Sequence, residues 1–336
     1  MKKYLSLLLI LLLLVSGCSN GKTEVDNNQN NNEVSDDADK NNQSNTETPN
    51  EVGNKTPINN GVICKRATEL HTEICNYSNS GGSTWTCLSA GYNKGDTITY
   101  GSLGTEGKLT SGDAFDCDVN GDGMVDSKTE RFYYVSDYYN TSTNSFDKDV
   151  AVLIYYSNTS SGEVDNVTEN NYNDTYEVWN GPLSAMRALP TTNQWSNIKL
   201  VNNVRTIRNE KNGTTLDDFP KSNAGDPTYK SYNLPSAYSY SGYAARLLTY
   251  QELVKACDMD LEELAELRSL DKCSYLLENT NHANKEMVSQ YWLETPKYDG
   301  NYVGEISTLN ASFGFRSLGT SGVRPVIEIP KDSMEY

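Results

Sequence analysis

Residues 19–60 carry almost no apolar side chains and are crowded with Asn, Asp, Glu, Thr and Ser. A run of this composition cannot bury enough surface to offset the entropy of ordering it. It predicts a disordered spacer, so any packed core has to come from residues 61–336. Apolar residues make up 36% of the chain, with the deficit concentrated in the spacer. What is left suffices for one core of about 200–270 residues. The 28 Lys and Arg stand against 45 Asp and Glu, a net charge of −17 that repels phosphate backbones and argues against a nucleic-acid partner.

Ahead of the spacer, Met1-Lys2-Lys3 is a short basic start, and Leu5 to Val15 is an almost unbroken apolar run. Its eleven residues are too few to span a hydrocarbon core of about 30 Å, which favours a signal segment over a membrane helix. The run ends in Val15-Ser16-Gly17-Cys18, which resembles a bacterial lipobox. The resemblance implies removal of residues 1–17, diacylation of Cys18, and export to the outer face of the cell membrane with residues 18–60 as a tether. More than one acyl chain makes such anchoring stable.

With Cys18 set aside, six cysteines remain: Cys64, Cys75, Cys87, Cys117, Cys257 and Cys273. An even number in an exported chain predicts up to three disulfides. Cys257 and Cys273 flank a charged, helix-like stretch far from the others and are expected to pair. The other four allow three connectivities. A zinc site is not expected, because no Cys-x-x-Cys occurs and His71 and His282 lie in unrelated segments.

From Lys94 onward the chain reads as strands and turns. Residues 96–100, 131–136 and 150–156 have strand character, and the last is a continuous apolar run expected of a buried strand. Residues 182–189 and 249–256 read as short helices, the second with a capping box formed by Thr249 and Glu252. Residues 194–204 fit helix or strand, and 205–235 read as a long surface loop. Residues 290–296 precede a Gly- and Asn-rich hairpin region, and 322–329 form the expected final strand. No solenoid or propeller repeat is present. One α+β domain with mixed or antiparallel strands and short helices, stapled by disulfides, is the expected head.

The Tyr-Trp-Leu-Glu-Thr-Pro of residues 291–296 and the Gly-Val-Arg-Pro-Val-Ile of 322–327 together resemble the ending of uncharacterised surface lipoproteins from low-GC Gram-positive bacteria. Residues 180–192 and 239–249 share that resemblance. A more distant likeness links the Trp-bearing strand and the terminal Gly-Val-Arg-Pro strand to formylglycine-generating enzymes and C-type lectins, which implies a C-type-lectin-like fold. The enzymes of that group work through a late cysteine pair, and no cysteine follows Cys273. The sugar-binding Glu-Pro-Asn, Gln-Pro-Asp and Trp-Asn-Asp motifs of calcium-dependent lectins are absent; Trp179-Asn180-Gly181 is a partial echo. Arg324 and Glu294 are expected to pair across the closing strands.

The sharpest chemical motif begins at Asp118. Asp118-x-Asn120-x-Asp122-Gly123-Met124-x-Asp126 resembles the first nine positions of an EF-hand or dockerin calcium loop. The spacing turns three oxygen side chains inward, Gly123 permits the bend, Met124 offers its carbonyl, and Asp126 is expected to bind through water. Position twelve is Thr129, and the acid, Glu130, comes one residue late. Dockerins carry two such loops with helices after each, whereas a strand-like Phe132–Val135 follows here, so a cohesin partner is not expected. A structural calcium or an empty acidic turn are the two readings of the motif. No Gly-x-Ser-x-Gly, His-Glu-x-x-His or phosphate-cradling glycine loop occurs.

Trp195 and Trp292 are expected in the core, and Trp85, in a Gly/Ser setting, is a candidate exposed contact. Tyr, at 23 residues, tolerates the surface and suggests a tyrosine-rich face. The expected function is a lipid-anchored, non-catalytic binding or adhesion module for a glycan or surface protein, with structural calcium. An envelope hydrolase using an acid pair and a structural envelope protein are the alternatives.

Overall fold

Tyr, Val, Phe, Ile and Leu fill residues 131–140 and 145–155, and such side chains suit a pleated surface buried on both faces. The computed structural model describes residues 55–74, 93, 95–164, 167–174, 180–208, 237–258, 273–278, 290–296, 303–307, 312–316 and 319–336. In chain order the strands are β1 (Lys55–Pro57), β2 (Cys64–Arg66), β3 (Thr72–Ile74), β4 (Thr97–Thr99), β5 (Ala114–Cys117) and β6 (Met124–Asp126). The long β7 (Arg131–Asn140) and β8 (Ser145–Tyr155) follow, then β9 (Asn170–Asn171), β10 (Val204–Thr206) and β11 (Ala237–Ser239). Helices α1 (Tyr250–Cys257) and α2 (Tyr275–Glu278) precede β12 (Gln290–Pro296), β13 (Val303–Ser307) and β14 (Ser312–Arg316). The chain closes with β15 (Thr320–Ser321), β16 (Val326–Pro330) and β17 (Met334–Glu335). The described fold is mostly sheet with few helices.

Six strands make the central sheet in the order β16-β8-β7-β5-β2-β17. Its neighbours run antiparallel except β17, which lies parallel to β2. Alternation along β7 and β8 sends Phe132, Tyr134, Leu153 and Tyr155 to one face, where they join Trp195, Trp292, Met186 and Leu189. Tyr133, Val135, Val152 and Ile154 go to the other, against Leu253, Ala256, Leu276, Tyr291 and Ile306. Both faces are covered, which explains why residues 150–156 read as an unbroken apolar run.

Two cysteine pairs lie at disulfide distance. Cys64 and Cys117 face each other in register across β2 and β5, and Cys257 pairs with Cys273 as the flanking positions suggested. Cys18, Cys75 and Cys87 lie outside the described residues.

Several boundaries differ from the sequence reading. β1 falls inside the span assigned to the tether, because Lys55 to Pro57 find backbone partners on β6. Residues 182–189 hold only a 3-10 turn, Ala185–Ala188. Residues 194–203 form turns rather than helix or strand. The long loop expected at 205–235 is entered by β10, which pairs with β11 on its far side. The final strand begins at Val326, four residues later than expected, since Pro325 lacks an N–H for the ladder.

Candidate functional site

The Asp118 motif lies between β5 and β6, a strand-loop-strand setting rather than a helical one. Asp118 is 4% exposed. Its Oδ1 accepts from the backbone N–H groups of Gly121 and Asp122, and its Oδ2 from Gly123 at 3.0 Å. Asn120 Oδ1 accepts from Asp122 N–H, and Asp122 Oδ1 from Met124 N–H, each at 2.8 Å. Gly123 takes φ +76°, a left-handed conformation that glycine adopts without cost. Met124 sits on β6 opposite Pro57.

Glu130, one residue past Thr129, is the acid whose side chain returns to the loop. The Thr129 and Glu130 N–H groups both return to the Asp126 carbonyl, and this turn swings the Glu130 carboxylate back over the loop. Its Oε1 accepts from Asn120 Nδ2 at 3.1 Å and its Oε2 from Asp126 N–H at 2.8 Å. Burial raises the Glu130 pKa to about 7; the Asp126 N–H opposes that rise, and the charges of Asp122 and Asp118 add to it. On the open side, Lys55 from β1 donates to Asp122 Oδ2 at 2.9 Å. That bond and the charge of Asp122 raise the Lys55 pKa, and Lys55 holds the Asp122 carboxyl below its ordinary range. An ammonium therefore already sits where the loop is negative. Among the described residues, no group of three or more His, Cys, Asp or Glu side chains is drawn together closely enough to hold a metal. A calcium ion would require Lys55 to leave Asp122 and the Asn120 amide to turn its oxygen inward. The ligand types fit the ion, and the present side-chain arrangement does not yet converge on it.

The other concentration of charge is buried and was not legible as a cluster. Arg246 grips Glu252 through both Nη groups, at 2.6 and 2.9 Å, and reaches Glu328 Oε1 through Nε at 2.5 Å. Arg205 donates to Glu294 Oε1 at 2.8 Å and to the Tyr138 hydroxyl at 2.9 Å. These five charged side chains are all at most 3% exposed. The signal was an Arg inside Ala-Ala-Arg-Leu-Leu and a Glu inside Val-Ile-Glu-Ile, charges within apolar runs. Glu294 thus pairs with Arg205 and not with Arg324, which corrects the expected Arg324–Glu294 bridge. Arg324 instead points into the α2 side of the core. There it donates to the Tyr155 and Leu276 carbonyls at 2.6 and 2.9 Å and lies over the Tyr291 ring.

Trp195 and Trp292 are buried as expected. Trp195 meets Tyr155 and Phe132 edge-on, and Trp292 Nε1 donates to the Asn170 carbonyl. Among the described residues no tyrosine is exposed, and most of their rings pack on the two sides of the sheet; the other eight tyrosines lie outside the described residues. His71 is half-buried, with Nε2–H donating to the Ser127 carbonyl at 2.5 Å. Burial, then the nearby Arg131 charge, lowers its pKa. Trp85, Trp179 and His282 lie outside the described residues. No protein-family model matches the chain, nor does any curated protein or solved structure.

Proposed function

We propose that the chain is an exported lipoprotein, anchored through Cys18, whose head is a non-catalytic binding module of C-type-lectin-like α+β fold with a calcium ion in the Asp118–Glu130 loop. The observation that carries the choice of binding over hydrolysis is the use made of the buried acids. Of the seven buried acids among the described residues, Asp113, Asp116, Glu252, Glu294 and Glu328 are each paired with an arginine, and the other two, Asp118 and Glu130, hold the loop. A carboxylate held that way braces the fold; it is not set to protonate a glycosidic oxygen. Two disulfide pairs in the head suit an oxidising, exported setting. The return of Glu130 to the loop supports the calcium assignment, with Asp118, Asn120, Asp122, Asp126 and Glu130 as side-chain ligands and Met124 supplying a carbonyl. The ion would offset the charge of four acids, Asp118, Asp122, Asp126 and Glu130, and brace the loop between β5 and β6.

The test is an array of glycans and envelope or matrix proteins probed with the oxidised protein, in calcium and in chelator. Specific binding that weakens in chelator is the expected result. A blank array together with turnover of a glycan substrate would overturn the binding reading in favour of the acid-pair hydrolase. Anchoring is checked separately: Cys18→Ala is expected to release the protein from membranes and abolish labelling by a fatty-acid probe.

A further inference from the structure

The Asp118 loop already holds a cation, the ammonium of Lys55. Its Nζ donates to Asp122 Oδ2 at 2.9 Å, and among the described residues it is the one basic group paired with an acid of the loop. Lys55 also stands opposite Asp126 in the register of β1 on β6. The Lys55 and Asp122 side chains are 49% and 39% exposed, so water and salt reach the pair.

β1 has little else to keep it in place. Its three residues are exposed, and its sheet has two strands, itself and β6. Beyond that ladder, the Ile58 N–H donates to the Gly123 carbonyl at 3.1 Å, and Lys65 Nζ donates to the Pro57 carbonyl at 3.3 Å. The next anchor along the chain is Asn59, whose Nδ2 donates to Glu335. A two-stranded ribbon without a buried apolar face is marginal in water. The Lys55–Asp122 contact is therefore a material share of what docks residues 55–58.

Calcium and Lys55 need the same carboxylate. An ion held by Asp122 places two positive charges beside the ammonium, and the repulsion drives Lys55 away. Ile58 adds a second link, because its partner Gly123 sits at the bend of the loop, next to Met124. We propose that Lys55 is a built-in competitor of the calcium ion, and that loading the loop releases the strap of residues 55–58 from β6. The proposal rests on the calcium reading of the loop. The coupling is reciprocal: a docked β1 weakens calcium binding by the same factor by which calcium weakens docking.

The test titrates calcium chloride, from chelator and at one ionic strength, into the whole oxidised protein and its Lys55→Met and Lys55→Arg variants. Calorimetry reads the affinity, and hydrogen exchange at the Ile58 N–H reads the docking. Lys55→Met is expected to bind calcium several-fold more tightly than the parent. Lys55→Arg keeps the charge and is expected to bind like the parent. In the parent, calcium should speed exchange at Ile58 several-fold while Leu153, in the central sheet, stays protected. Equal calcium affinity in all three proteins, with Ile58 exchange unchanged, would overturn the proposal and leave the loop reading standing. No calcium binding by any of the three would overturn the loop reading and the proposal with it.

Discussion

Glu130 is buried beside Asp118 and Asp122, and the loss of water around it sets its pKa at about 7 against 4.5 for the free side chain. The folded state therefore binds this proton more tightly than the unfolded state does. Its contribution favours folding below pH 4.5 and is lost as pH rises through about 7, a swing on the order of 3 kcal/mol. In chelator, Glu130→Gln is expected to flatten that part of the stability profile between pH 5 and 8 and to match or exceed the parent at pH 8, as read by denaturant melts. With calcium the parent should be stabilised and the variant should not. His71 acts with the opposite sign: its lowered pKa costs stability as pH falls through 6.5. The comparison of parent with variant, in which His71 is common, isolates Glu130. Asp122→Ala should likewise remove any calcium-dependent rise in Tm, and an unchanged transition in calcium and chelator would sink the calcium assignment. Elsewhere, Gly101 adopts φ +72°, and an added Cβ would lie 2.5 Å from the Tyr133 ring and 2.7 Å from the Gly112 carbonyl. Gly101→Ala is expected to cost more than about 1 kcal/mol.

At the level of elements, α1 was readable because its signal is local. Thr249 accepts the Glu252 N–H and Glu252 accepts the Thr249 N–H, the capping box that four consecutive residues announce. The second duty of Glu252, holding Arg246, depends on a residue outside the helix, and no local pattern declares it. The two duties separate experimentally. Thr249→Ala should cost about 1 kcal/mol, the loss of a cap. Glu252→Gln, which leaves the Arg246 guanidinium short of a buried partner, should cost about 3–5 kcal/mol in the same urea titration. Similar small losses from both would show that the ion pair contributes little. β7 and β8 were legible from their β-branched and aromatic content, yet their true lengths were not. β7 runs on to Asn140 through two irregularities in register, and polar residues at the hairpin end masked its continuation.

For the whole molecule, the two disulfides close loops of different size. Cys64–Cys117 spans 53 residues and Cys257–Cys273 spans 16. Loop-closure entropy gives about 4 and 3 kcal/mol respectively, so replacing the first pair by serine should lower stability more than replacing the second. A thiol titration of the denatured, unreduced protein should find these four cysteines blocked. Composition and local order were enough to foresee the cap of α1, the pairing of Cys257 with Cys273 and the burial of Trp195 and Trp292. Each of those follows from residues near in sequence or from bulk hydrophobicity. Only the tertiary structure joined Cys64 to Cys117, took Glu294 from Arg324 and gave it to Arg205, kept the described tyrosines off the exposed surface, and turned the Glu130 carboxylate back onto the Asp118 loop. Those outcomes turn on strand register and on which buried charge lies within about 3 Å of another, and contacts between segments distant in sequence leave no local pattern.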